Sequence, residues 1–265
     1  MARKSKRALV LEGGGAKGAY QVGAYRALQE AGLEFDCFIG VSIGSLNGAM
    51  FASDKAELCE KLWLSLDLSE IFGLDQNDLN RLYEEDDFYE RITAGADLVK
   101  VLLDHRGLPV EPMKELFRQF IDEEVLRQSS KEFGLVTFNV TKRQGVELFL
   151  EDIPQGSLHD FLMASCYLPV FEMKPIMGDY YLDGAFHDRL PISMVEDLAD
   201  EVVAIGLNPD KLRYKNIENK DRVTLIHPSR SLGKSLAFSP ENARRNMDLG
   251  YEDTRIFLRE QKRLK

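Results

Sequence analysis

Apolar runs too short for helices punctuate the chain at residues 8–11, 38–41, 202–207 and 223–226, each with polar or charged residues within two positions of its ends. This spacing predicts buried strands. Between the first two runs Tyr20, Ala24, Ala27, Leu28 and Ala31 recur at helical spacing, with Gly32 as the stop. The first forty residues therefore read as a β-α-β unit with parallel strands and a right-handed crossover. Both glycine-containing turns that follow these strands then fall at the carboxyl-terminal edge of the sheet, where open α/β sheets take ligands.

The pattern changes further on. Residues 55–130 are polar and mostly helical in period: Leu58, Leu62 and Leu66 share a face near Trp63, and Met113, Leu116, Phe117, Phe120 and Ile121 form a second stripe after Pro112. Both stripes are expected to be core, and the stretch between Asp67 and Val110 has room for a cover over a site, which the residues alone do not define. The acidic run Glu84-Glu85-Asp86-Asp87 reads as a solvated surface and not as a metal site. Residues 133–140 and 146–150 predict a hairpin around 141–145, and residues 158–165 a short helix closed by Pro169. A second hairpin, residues 174–178 with 180–182, delivers Asp183-Gly184-Ala185. The last helix starts at Ser239 as cap with Pro240 in first position, and Ala243, Met247, Tyr251, Thr254 and Leu258 share a face.

Composition narrows the function classes. The chain has 265 residues, 44% hydrophobic and 29% charged, and is expected to form a single domain over residues 1–265. Lys and Arg number 34 against 44 Asp and Glu, a net charge of −10, which argues against nucleic-acid partners. Cys37, Cys59 and Cys166 are an odd set without metal-type spacing, so buried free thiols are expected. The basic start at residues 3–7 precedes an apolar run too short for a signal peptide or a membrane span. A soluble cytoplasmic protein is the expectation.

Two glycine turns carry the candidate chemistry. Gly40-Val41-Ser42-Ile43-Gly44 lies between a predicted strand and a helix, the setting in which a serine hydroxyl is held out as a nucleophile. The earlier loop, Gly13-Gly14-Gly15-Ala16-Lys17-Gly18, admits three readings. Gly13, Gly15 and Gly18 with Glu34 or Asp36 satisfy a dinucleotide pattern, and a Walker A loop fails because Ala19 stands where its lysine belongs. The third reading is an oxyanion hole for a carbonyl attacked by Ser42, which the adjacent serine turn favours. A serine needs a base. The order Ser42, Asp183, His227 admits a histidine-assisted triad, and Asp183 directly before Gly184 admits a two-residue dyad. His105, His159 and His187 sit in polar contexts.

Together these residues resemble the patatin-like phospholipases. The blocks are the glycine loop, Gly40-Val41-Ser42-Ile43-Gly44, Ala164-Ser165 with Pro169, and Asp183-Gly184-Ala185. The resemblance implies a Ser42–Asp183 dyad without histidine and an oxyanion hole built on Gly13, Gly14 and Gly15, with Lys17 in the family's basic position. Asp188-Arg189 stands where family members commonly carry two asparagines, and Ala185 where a third glycine is frequent. The expected fold is a three-layer α/β/α sandwich with a mainly parallel sheet. The expected reaction is hydrolysis of a lipid or other acyl ester of phospholipase A or lysophospholipase type, with the N–H of Ile43 as a further oxyanion donor and no metal or organic cofactor. Transient contact with a membrane surface goes with a lipid substrate. The competing readings are a histidine-assisted esterase and a nucleotide-binding or regulatory protein.

Overall fold

The computed structural model describes residues 6–67, 71–72, 107–169, 171–214 and 222–264. The acidic run at residues 84–87, His105 and most of the stretch between Asp67 and Val110 with room for a cover lie outside these residues. Strand β1 (Arg7–Leu11) passes through a 3-10 turn (Gly15–Gly18) into α1 (Ala19–Glu30) and β2 (Cys37–Val41), followed by α2 (Ile43–Ala52) and α3 (Ala56–Ser65). Then come α4 (Glu111–Phe120), α5 (Glu123–Gln128), β3 (Glu132–Asn139), β4 (Gln144–Phe149) and α6 (Leu158–Ser165). The chain continues through β5 (Tyr181–Asp183), β6 (Glu201–Ile205), β7 (Val223–Ile226) and α7 (Pro240–Leu264).

The strands form one sheet in the order β4-β3-β2-β1-β6-β7, with β5 also paired to β3. β1 runs parallel to both β2 and β6, β2 to β3 and β6 to β7, while β4 and β5 are antiparallel to β3. The apolar runs are continuous because both faces are covered. Leu9 and Leu11 enter one core with α1, α2 and α7, whereas Ala8 and Val10 enter a second with Ile192, Val195 and Val202. Most buried apolar side chains of the described α-helices belong to the first core. On the other face the covering elements among the described residues include the 3-10 turns Ile192–Val195 and Lys211–Tyr214.

Two expectations are corrected. The second hairpin does not form. Residues 176–179 make a tight turn closed by a single bridge, with positive φ at Met177 and Gly178, and β5 pairs with β3 instead. The reason is an unfilled edge: β2 ends opposite Val136, so the last residues of β3 need a partner, and β5 supplies it. On α3 the buried face is Cys59 and Trp63, and Leu58 is exposed.

This pairing positions the site. β4 takes one edge of β3 over Gly134 to Asn139, so β2 and β5 share the other edge end to end. Val41 stands opposite Val136 and Asp183 opposite Thr137.

Candidate active site

Ser42 follows β2 directly, with φ 54° and ψ −127°. A non-glycine residue there is strained by roughly 1–3 kcal/mol and persists only where its surroundings impose it. The surroundings here are close-packed backbone. A Cβ on Gly40 would stand 2.2 Å from the Gly44 carbonyl, and one on Gly44 2.4 Å from the Leu11 oxygen, so α2 starts against β1 and β2 with no room for side chains. The Ser42 N–H donates to Ser165 Oγ at 2.9 Å, and Ser45 Oγ donates to the Ser42 carbonyl at 2.6 Å. Ser42 is 7% exposed and opens onto a cavity.

Asp183 is 1% exposed. Its N–H donates to the Tyr167 carbonyl at 2.9 Å, and its Oδ1 accepts from the Ala185 N–H at 2.9 Å. Burial and the nearby Asp183 carboxylate push the Cys166 thiol well above its ordinary range, while hydrogen bonds with the Ser42 and Ser45 side chains pull the other way.

The glycine loop lies beside this pair, a Cβ on Gly13 falling 3.2 Å from Ser42 Cβ. The Gly13 N–H donates to the Arg189 carbonyl at 3.2 Å, so Asp188-Arg189, the departure from the family pattern, anchors the loop. Gly14 and Gly15 N–H groups have no acceptor among the described residues. Gly15 has φ +56°, and a Cβ there would come within 2.2 Å of the Ser235 carbonyl, which accepts the Ala16 N–H at 2.7 Å. Lys17 is half-buried, and its N–H donates to the Gly14 carbonyl. Ile43 opens α2, so its N–H sits at the positive end of the helix dipole.

Sequence reasoning missed three things. The first is Glu12, buried at 3% exposure, whose Oε2 accepts from the Leu207 N–H and the Tyr214 hydroxyl, each at 2.5 Å. Burial and this carboxylate raise the Tyr214 phenol above its ordinary range. A charge directly after an apolar strand was the available signal, because a buried carboxylate requires partners. Glu12, Leu207 and Tyr214 fill the crevice between β1 and β6, where sheets of this topology take dinucleotides.

The second is the cavity, about 850 Å³ including its mouth, running from Gly15 and Ser42 along α2 to Met50. The stripe on α4, expected to be plain core, lines its other wall. Leu236 and Phe238 close a side, with Phe238 stacked on Trp63 at 5.8 Å between ring centroids. Asn47 is the polar exception besides Ser42, and its amide is spent on Gly18, Gln21 and Trp63. The third is the role of Ser165.

His227 lies elsewhere. It follows β7, three strands from β2 in the sheet order and so roughly 14 Å away laterally. Its Nδ1 is 3.2 Å from the Pro228 carbonyl. His159 Nε2 contacts the Ile121 carbonyl and His187 approaches Glu147. Among the described residues no His, Cys, Asp and Glu cluster is arranged to hold a metal.

A strained serine after a parallel strand, with a glycine loop beside it, is matched by a family model, patatin-like phospholipase, over residues 9–195. The chain belongs to the patatin-like phospholipase family. Among relatives of this patatin-like chain, lysophospholipase nte1 of Aspergillus terreus is 56% identical over 46 residues, 17% of this chain and 3% of that protein. Neuropathy target esterase sws of Drosophila sechellia is 55% identical over 47 residues, again 3% of its length. The match thus spans a small fraction of these relatives. VipD from Legionella pneumophila shares the fold at a TM-score of 0.52 and 17% identity, covering 98% of this chain and 67% of that one. The type III effector ExoU does so at 0.53 and 18%, covering 97% and 53%.

Proposed function

We propose that this chain is a serine lipid acyl hydrolase of phospholipase A or lysophospholipase type, working through Ser42 and Asp183. The carrying observation is the strained Ser42 at the mouth of an apolar cavity, with Asp183 next along the same edge of β3. The Asp183 carboxylate takes the Ser42 hydroxyl proton as Oγ attacks the acyl carbonyl carbon. The oxyanion forms against N–H groups of Gly14, Gly15 and Ile43; the Gly13 N–H, expected among these donors, is given to the Arg189 carbonyl instead. As it collapses, the ester C–O bond breaks and Asp183 returns the proton to the leaving alcohol. Water, deprotonated by Asp183, then attacks the acyl-enzyme and releases the fatty acid.

The lining of the cavity suits a hydrocarbon chain, which would enter from a membrane surface. The separation of His227 from β2 and the filled β1–β6 crevice favour the dyad over the histidine-assisted and nucleotide-binding readings. The test is covalent labelling by a fluorophosphonate, read by intact mass. One label on wild type, lost in Ser42→Ala and Asp183→Asn, is the expected result, and a folded wild type that stays unlabelled would overturn the proposal.

A further inference from the structure

The family blocks include Ala164-Ser165, for which the mechanism above has no use. Ser165 is the last residue of α6 and fully buried. Its Oγ accepts the Ser42 N–H at 2.9 Å and donates to the Val136 carbonyl at 2.7 Å. Val136 is the β3 residue opposite Val41, and a Cβ on Gly184 would fall 2.1 Å from that same carbonyl. One peptide of β3 is therefore gripped from the nucleophile side by Ser165 and from the base side by the Asp183-Gly184 backbone. Two residues on, the Tyr167 carbonyl accepts the Asp183 N–H. The exit of α6, residues 165–167, bonds the backbone amides of both members of the dyad.

We infer that Ser165 is a positioning residue of the reaction: its hydroxyl, bridging the Ser42 N–H and the Val136 carbonyl, sets the angle from which Ser42 Oγ attacks. The inference rests on Ser42 being the nucleophile. A hydroxyl with one donor and two acceptor lone pairs fits this bridge, since it accepts one bond while donating the other. Without it the Ser42 peptide loses the partner that opposes its strain, and Oγ shifts relative to the Gly14 and Gly15 amides.

The test is steady-state hydrolysis of a p-nitrophenyl acyl ester by the full chain, with active sites counted by the fluorophosphonate endpoint and folding followed by melting temperature. Ser165→Ala is expected to lower kcat per titrated site by roughly ten- to a hundredfold with KM within about twofold, because sub-ångström misplacement of a reacting group costs rates of that order. Ser165→Thr, which keeps the hydroxyl, is expected to recover most of kcat. Should Ser165→Ala not fold, Ser165→Cys serves, its thiol being of similar shape but a weak hydrogen-bonding group. An unchanged kcat per site in Ser165→Ala or Ser165→Cys, whatever happens to melting, would reduce Ser165 to a structural hydroxyl. Labelling that persists in Ser42→Ala would instead remove the dyad reading itself, and the two failures are distinct.

Discussion

Val41 and Asp183 are successive neighbours along one edge of β3, the first opposite Val136 and the second opposite Thr137. A parallel strand and a short antiparallel one meet end to end there. Ser42, the next residue after Val41, and Asp183 are held by the same ladder. Asp183→Asn keeps an oxygen for the Ala185 N–H and should fold, while kcat falls by about 10² to 10⁴, the usual worth of a general base. Ester hydrolysis and melting temperature, measured on the same preparation, check both halves.

Gly15 has a positive φ and the Ser235 carbonyl against it. Gly15→Ala must displace the loop backbone, carrying its N–H away from the oxyanion. The barrier should rise by about 2.7–4 kcal/mol, the cost of a lost donor. The decisive readout is kcat; an unchanged value would take this amide out of the oxyanion hole.

Trp63 is the single tryptophan, and its ring faces both Phe238 and the cavity. Its emission should change when a long-chain alkyl ligand enters and stay constant with a short polar ester. Phe238→Ala should lower kcat/KM for long-chain esters relative to short ones by roughly fivefold, equivalent to about 1 kcal/mol of apolar contact. Equal effects on both chain lengths would place the acyl group elsewhere.

Glu123 predicts an acid limb of stability. Burial would raise its pKa, but hydrogen bonds from Arg127 and from the Gly156 and Leu158 N–H groups outweigh burial and hold it below the ordinary 4.5. A depressed carboxylate stabilises the fold above its unfolded pKa, and that stability is lost as pH falls through the folded value. Melting temperature followed downward through the carboxylate range should drop less steeply in Glu123→Gln.

The thiols should be silent in the native state. Burial first, then Glu132, pushes Cys37 up to about 12, and burial raises Cys59 and Cys166 as well. A charged disulfide reagent at neutral pH should label none of them, and unfolding should release all 3.

Much of this architecture was legible in the residues. The runs around Leu9, Ile39 and Ala204 are apolar on both faces, and only a doubly covered parallel sheet makes such runs favourable. Ser42 was legible because Gly40 and Gly44 flank it at the spacing a strand-to-helix turn demands. What the sequence hid depends on distant pairing. Tyr180 to Leu182 reads as half of a hairpin, since nothing local reveals that the end of β3 lacks a neighbour. Met113 to Ile121 reads as core because a helix facing a cavity and one facing other side chains carry the same stripe. Tyr214, about two hundred residues from Glu12, reaches it only once β6 lies beside β1.

Leu236 and Phe238 lie past residue 195, where the family match ends, and Ser235 beside them rests on the glycine loop. Part of the cavity wall is thus written outside the stretch that carries Ser42 and Asp183, while the rest, from α2, α3 and α4, lies within it. On the proposed function, substitutions near Phe238 would reshape this one wall while leaving Ser42 and Asp183 in place. Exchanging that short stretch between relatives accordingly measures how much of any acyl preference this one wall sets.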